Sequence, residues 1–281
     1  MSNRRTRPGP PSWVAALRDL VEAAVDLVLP RVCVGCGVPG RSACAPCRRG
    51  WEGPGRRQDP DPCPPGLPPV HVAAVYRGGV RAAVIAHKER GERPLTGTLG
   101  RALGAAVRSA VAGAPGGRGP GRDVPSPRRV VLVPVPTSRR AIAERGDDSV
   151  LLMARSAARV LRTEGLDARV VRALRPRGRR RDQAGLSATE RRDNLAGAFG
   201  PRRPAARLAA AVREAPDAAP LVLVVDDLVT TGATAREAVR ALTAAGVPVA
   251  AVAAVAAPRR RWRPARGGDL VAGAPSSAAE G

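Results

Sequence analysis

Apolar residues in this chain gather in short runs separated by Gly, Pro and Arg. Val70 to Val75 reads as a strand, and Val130 to Val133 and Leu221 to Val225 are continuous apolar stretches bounded by loop residues. Runs without polar alternation suit strands buried on both faces of a parallel sheet. Arg169 to Leu174 and Val247 to Val255 read as further strands. Between them the spacing turns helical over Arg81 to Lys88, over Ser149 to Leu161 with Gly165 as its stop, and over Thr234 to Ala244 with Gly246 as terminator. A further amphipathic helix is predicted from Ser12, a suitable N-cap, to Leu29, with Trp13, Leu17, Leu20, Ala24 and Val28 on one face. Strands alternating with helices predict an α/β domain with a mainly parallel sheet.

The segments between these elements are long. Residues 50–69 and 115–128 are rich in Pro and Gly, residues 175–193 are polar and arginine-rich, and the ends (1–11 and 259–281) read as disordered basic or small-residue arms. The expected organisation is an arm and helix over 1–29, a small module over 30–50, the α/β domain over 70–258 and a tail from 259. No run is long and apolar enough to span a membrane, because Arg18, Asp19, Glu22 and Asp26 interrupt the best stretch. Those charges also argue against a secretory signal, so the expectation is a cytoplasmic chain with reduced thiols.

Composition sharpens this picture at two points. Only 2% of the 281 residues are aromatic, so the core must be built from Val, Leu and Ala. Lys and Arg total 47 against 24 Asp and Glu, a net charge of +23, which fits a polyanionic partner such as a phosphorylated substrate or nucleic acid. Lys88, Tyr76 and Phe199 are the single representatives of their types, and each falls in a segment singled out on other grounds.

The strongest chemical signal is Leu221 to Leu242. An apolar strand ends in two carboxylates, Asp226 and Asp227, followed at once by Thr230, Thr231, Gly232, Ala233 and Thr234 and then a helix. Ligands of open α/β sheets bind at the carboxyl ends of strands. Here Gly232 permits close backbone approach, the threonines supply hydroxyls, and the helix start turns its positive end to the same point. No lysine follows the glycine, so this is not a Walker-type loop.

The second signal is Cys33-x2-Cys36-x7-Cys44-x2-Cys47. Two C-x-x-C pairs can complete a tetrahedral thiolate site, so a structural zinc ion is expected, with no open position for catalysis. Cys63 is left over as an ordinary thiol, and His71 and His87 are expected to serve packing rather than metal binding.

Val224 to Thr234 resembles the 5-phosphoribosyl-1-pyrophosphate (PRPP) signature of type I phosphoribosyltransferases. The resemblance implies that Asp226 and Asp227 grip the ribose hydroxyls and that Thr230 to Thr234 wrap the 5-phosphate, with Mg²⁺ accompanying PRPP. Together with the cysteine module, the chain resembles the ComF family of competence-associated proteins from about Leu27 to Val255. Asp26 to Cys33 resembles the family's entry to the zinc ribbon, and Tyr76 with Lys88 to Gly91 resembles its Lys-x-Arg-Gly element. Val133 to Pro136 with Thr137, Arg139, Arg140 and Arg145-Gly146 resembles its pyrophosphate-side loop. Gln183, Gly185-Leu186, Glu190-Arg191 and Asn194 to Phe199 resemble its mobile loop and following strand. The implied fold is a type I phosphoribosyltransferase-like parallel sheet flanked by helices, preceded by a zinc ribbon.

The implied catalytic set is Asp226, Asp227, Arg145 and Lys88, with Lys88, Thr137, Arg139 and Arg140 on the pyrophosphate side and Arg181, Gln183 and Arg191 in the mobile loop. Arginines suit that place because guanidinium grips phosphate bidentately, although for Lys88 and Arg139 taken singly a solvated surface position is an equal reading. The chain departs from the family where Asp147-Asp148-Ser149 follows Gly146 in place of Phe-Asn-Gln. It departs again where Arg179 to Arg181 replaces a threonine upstream of Gln183.

Two functional expectations follow. One is phosphoribosyl transfer from PRPP to a nitrogen acceptor such as a nucleobase, with release of pyrophosphate. The other is a non-catalytic PRPP sensor or single-stranded DNA-binding protein acting with a competence-machinery partner in DNA uptake.

Overall fold

The structure is a computed structural model that describes residues 31–114, 129–177, 197–216 and 219–259. The expected helix from Ser12 to Leu29, the loop over 115–128, the mobile-loop residues Arg181, Gln183 and Arg191, and the tail beyond 259 lie outside the described residues.

The chain begins with a cysteine-bearing segment that ends in helix α1 (Ala45–Trp51). Strand β1 (Arg56–Arg57) leads to β2 (Val70–Val75), and helices α2 (Gly78–Glu89) and α3 (Leu95–Gly113) follow. Next come β3 (Val130–Pro134), α4 (Arg139–Arg145), α5 (Ser149–Thr163) and β4 (Ala168–Val170). The remaining elements are β5 (Leu174–Pro176), β6 (Phe199–Pro201), α6 (Arg203–Glu214), β7 (Leu221–Leu228), α7 (Ala233–Thr243) and β8 (Ala251–Ala257).

Six strands form one sheet in the order β1-β2-β8-β7-β3-β4, parallel throughout except for the short antiparallel β1 at its edge. Strand residues alternate between two cores, as the two-residue period requires. Leu132, Leu223, Val225 and Ala253 face α2, α3 and α5, whereas Val131, Val222, Val224 and Val252 face α6 and α7. Both faces are covered, which is why the strands read as unbroken apolar runs.

The segment read as one strand, Arg169 to Leu174, is divided. Ala168–Val170 joins the main sheet, and Leu174–Pro176 pairs antiparallel with β6 in a separate two-stranded sheet. That small sheet is tied to α7, because the Phe199 amide donates to Glu237 Oε1 at 3.3 Å and Arg240 holds the same buried carboxylate at 2.6 and 2.8 Å.

Sequence reading missed α1, α4 and α6 as well as α3, the longest of them, where Gly97, Gly100, Gly104 and Gly113 interrupt the apolar pattern. Gly100 serves packing. A Cβ on Gly100 would stand 2.3 Å from Ser156 Oγ and 2.4 Å from Ser156 Cβ on α5, so the two backbones meet with no side chain between them.

The cysteine segment is fastened to this body. Trp51 and Ala43 enter the α3-side core, Arg101 donates to Glu52 at 2.8 Å, and Ser42 Oγ donates to Glu92 at 3.3 Å. The glycine at position 79 lies against Gly35 and the Trp51 ring, where an added Cβ would sit 3.0 Å from both. Described helices include none long and apolar enough to cross a membrane.

Overpacking a filled core costs about 1–3 kcal/mol. Gly100→Ala is therefore expected to destabilise the protein by that amount in chemical denaturation, and the second change Ser156→Gly to recover most of it. Equal stability of Gly100→Ala and wild type would show that α3 and α5 can separate freely.

Candidate functional site

Asp226 and Asp227 are the sixth and seventh residues of β7, and both are buried. By strand alternation Asp227 continues the Leu223–Val225 face and Asp226 the Val222–Val224 face. The Asp227 side therefore meets α2, and α2 delivers Lys88. The Lys88 ammonium lies 3.3 Å from Asp227 Oδ1 as a hydrogen bond and 3.0 Å from Oδ2. The Oδ2 contact lacks hydrogen-bond direction, so Oδ2 is a buried acceptor held by charge alone. Asp226 Oδ1 accepts the Asp227 amide at 2.8 Å. Lys88, expected beside pyrophosphate, contacts the acidic pair through Asp227.

The Asp226 carboxyl is pushed well above the ordinary carboxylate range, first by burial and then by the charge of Asp227, with Lys88 and the Asp227 amide opposing. The pair is thus a cluster of hard oxygen acceptors in which Asp227 Oδ2 has no hydrogen-bond partner. His87, next to Lys88, is buried and bonds Thr96 Oγ1 at 2.9 Å. Burial holds its pKa below the usual value, against the opposing charges of Asp227 and Asp147.

Immediately after β7 the chain forms a loop whose threonines are exposed and whose glycine, Gly232, is buried against Leu67 and Pro60. Val229 is buried, with its amide on Ala256 O at 3.1 Å, while Thr230 and Thr231 are exposed. Gly232 takes φ +76°, a left-handed conformation that only glycine adopts without strain, and so turns the chain into α7. Its carbonyl accepts the Arg236 amide, and Thr231 Oγ1 accepts the Ala233 amide at 3.4 Å. Ala233 and Thr234 open α7 half-exposed, so the positive helix end faces the threonine hydroxyls. The sequence-predicted acidic pair and hydroxyl-and-amide loop thus lie in one continuous segment at the carboxyl edge of the sheet.

Across β3, which pairs with β7 up to Pro134↔Val225, a second loop leaves the sheet at the same edge. Thr137 Oγ1 donates to Asp148 Oδ1 at 2.9 Å, and that oxygen also caps α5 by accepting the Leu151 amide at 3.2 Å. Asp148 is one of the positions where the chain departs from the ComF pattern, and its carboxylate is committed to this cap. Asp147 pairs with Arg93. Arg139, Arg140 and Arg145 fall on α4, where their side chains lie outside the described residues.

The four cysteines converge. All four Sγ atoms lie within 4.8 Å of one another, and Cys36 and Cys44 are 3.6 Å apart. Tetrahedral zinc with bonds of about 2.3 Å needs sulfurs about 3.8 Å apart, so the arrangement could hold a structural ion such as zinc and is compatible with a zinc ribbon. Backbone amides face Cys33: Cys44 N donates to its Sγ at 3.3 Å. Burial raises the Cys33 pKa, but the amides of Cys44, Gly35 and Cys36 outweigh it and leave the thiol at about 6, ready to ligate as thiolate. Cys63 is exposed and apart from this group.

No protein-family model matches the chain, and no curated protein matches its sequence.

Because the folded Asp226 pKa lies above its unfolded value, ionisation withdraws stability as pH climbs from about 4 through the folded pKa. Asp226→Asn is expected to raise the thermal midpoint at pH 7.5 and to lose that advantage near pH 4. Identical midpoints at both pH values would show that the pair is not strained. For the cysteine site, elemental analysis should find about one zinc per chain, absent in Cys44→Ser, with a lowered midpoint because Trp51 and Ala43 belong to the core. A fully stable, metal-free wild type would contradict this assignment.

Proposed function

We propose that the protein binds Mg²⁺-PRPP at the end of β7 and transfers its phosphoribosyl group to a nitrogen acceptor. The observation that carries this reading is the continuity of two buried carboxylates with a Thr/Gly loop, its Thr230 and Thr231 exposed, at the start of a helix and at the carboxyl edge of a parallel sheet. In this reading the fold is a type I phosphoribosyltransferase domain and the cysteine module its zinc ribbon.

Asp226 and Asp227 accept the ribose hydroxyls, and the side chains and amides of Thr230 to Thr234 hold the 5-phosphate. Mg²⁺, when bound, shares the pyrophosphate charge. The acceptor nitrogen bonds to C1 as the C1–O bond breaks, and pyrophosphate leaves with the electron pair. Lys88 holds Asp227 neutralised until sugar hydroxyls arrive, then supplies positive charge beside the leaving group. Positioning and charge stabilisation carry the step.

The second reading, a non-catalytic PRPP sensor or single-stranded DNA binder, draws on the exposed Arg31, Arg41 and Arg49 of the cysteine segment. DNA affinity would then fall steeply with salt.

Calorimetric titration separates the readings. Wild type is expected to bind Mg²⁺-PRPP, and Asp227→Asn to bind about 10- to 100-fold more weakly for each charge-assisted hydrogen bond lost. Pyrophosphate release on adding nucleobases marks an enzyme; acid-pair-dependent binding without release supports a sensor. Equal affinity of the variant and wild type would remove the acidic pair from the site.

A further inference from the structure

Helix α2 delivers Lys88 from its last turn, yet it packs chiefly on two other helices, α3 and the cysteine segment's α1. Both of its ends bear on that segment. At the start, Gly79 lies against Gly35 and the Trp51 ring, and a Cβ on Gly35 would in turn stand 2.8 Å from Cys47 Sγ. One thickness of backbone thus separates a cysteine sulfur from the first turn of α2. Beyond the end, Glu92 Oε2 accepts Ser42 Oγ at 3.3 Å. Ser42 is buried, and its carbonyl accepts the Val34 amide at 3.1 Å. Ser42 stands two residues before Cys44, and Val34 follows Cys33, so this hydrogen bond reaches into the cysteine fold itself.

The turn that Glu92 anchors is closed on itself. The Glu92 amide returns to Ala86 O at 3.1 Å, His87 bonds Thr96 Oγ1 at 2.9 Å, and Arg93 pairs with Asp147. Lys88 lies inside this bracket, so its backbone follows Glu92 and, through Glu92, Ser42. From there its ammonium reaches Asp227 Oδ2 at 3.0 Å. The lysine side chain is half-exposed and that of Asp227 is buried, so the carboxylate depends on this contact more than the ammonium does.

The cysteine segment also leads to the Thr/Gly loop. Beyond Glu52 and β1, residues 58–67 form a strap that carries Pro60, Pro62, Pro64 and Pro65. Asp59 accepts Val70 N at 2.8 Å, Arg236 on the first turn of α7 donates to Pro65 O at 3.1 Å, and a Cβ on Gly232 would stand 2.8 Å from Leu67 and 3.0 Å from Pro60. A module this small has little core of its own, so an ion held by four sulfurs within 4.8 Å of one another would supply its folding energy.

We propose that the cysteine segment is a positioning element for the acidic pair: its ion fixes Gly35 and Ser42, these fix α2, and α2 holds Lys88 on Asp227. Ser42 and Glu92 are positioning residues that act through Lys88. The inference goes beyond the phosphoribosyl-transfer reading, because it holds for whatever ligand the pair accepts.

Lys88 is the only lysine of the chain. Acylation of the full-length protein by an amine-selective ester, followed by mass spectrometry of the peptide that contains Lys88, therefore reports this contact. An ammonium paired with a carboxylate gives up its proton less readily and acylates more slowly. Asp227→Asn sets the rate of the released amine, expected about two- to fivefold above zinc-loaded wild type, the range of a half-exposed ion pair. Chelation of the zinc and, separately, Ser42→Ala should each bring the rate to that of Asp227→Asn, while far-ultraviolet circular dichroism shows the α/β body still folded. Ser42→Ala keeps all four cysteines and so decides the matter if the metal-free chain unfolds. The inference is overturned if Ser42→Ala acylates at the wild-type rate while Asp227→Asn is faster, or if zinc removal leaves a folded protein with the wild-type rate. It is equally overturned if Asp227→Asn itself acylates as wild type does. No PRPP enters the measurement, so these outcomes leave the transferase reading to its own titration.

Discussion

Two carboxylates buried side by side at the end of a central strand are the constraint around which this molecule is arranged. Removing an ion from water is costly unless a partner or bound ligand replaces the lost hydration. Lys88 is that partner for Asp227, and it reaches it only because α2 crosses the same face of the sheet. Asp226 receives one backbone amide and the far field of the same lysine, which leaves its charge poorly compensated. Natural folds keep such strain where binding relieves it. The hydroxyl-bearing loop that follows is where relief would come from.

The three parts of the candidate site reach it by different routes. The carboxylates and the Thr/Gly loop come from one unbroken stretch, β7 to α7. Lys88 comes from a helix on one face, and the proline strap from the chain that precedes β2. The cysteine segment is upstream of that strap and packs Trp51 into the core, so the strap leaves from a fixed point. Gly53 and Gly55 pass so close to Ala73 O and Ala105 O that an added Cβ would stand 2.7 and 2.1 Å away. A structural ion in the cysteine site would thus steady the path by which the strap arrives.

Much of this was legible in the sequence where one physical signal sufficed. Unbroken apolar runs marked β3 and β7 because both faces of each are covered. The acidic pair with its Thr/Gly loop, and the cysteine spacing, were legible because their chemistry is local. Helix α3 was not, since its four glycines imitate a loop and the packing of Gly100 against α5 shows only in the fold. The break between Val170 and Leu174 was hidden because both sides carry apolar residues and only pairing partners distinguish them. The partner of Lys88 and the strap on Gly232 depend on contacts 139 residues apart and on proline faces, which no local pattern encodes.

The scarcity of aromatic residues has a further consequence. Alanine and valine fill most positions of the two cores, and elements are held at short range by backbone proximity instead of by bulky inserts. Trimming a methyl from such an interior leaves a small void, whereas adding one meets atoms with nowhere to go. Sensitivity to mutation is therefore inverted relative to a leucine- and phenylalanine-rich domain: this scaffold tolerates erosion better than growth, and sequence drift toward small residues is the direction it can most easily survive.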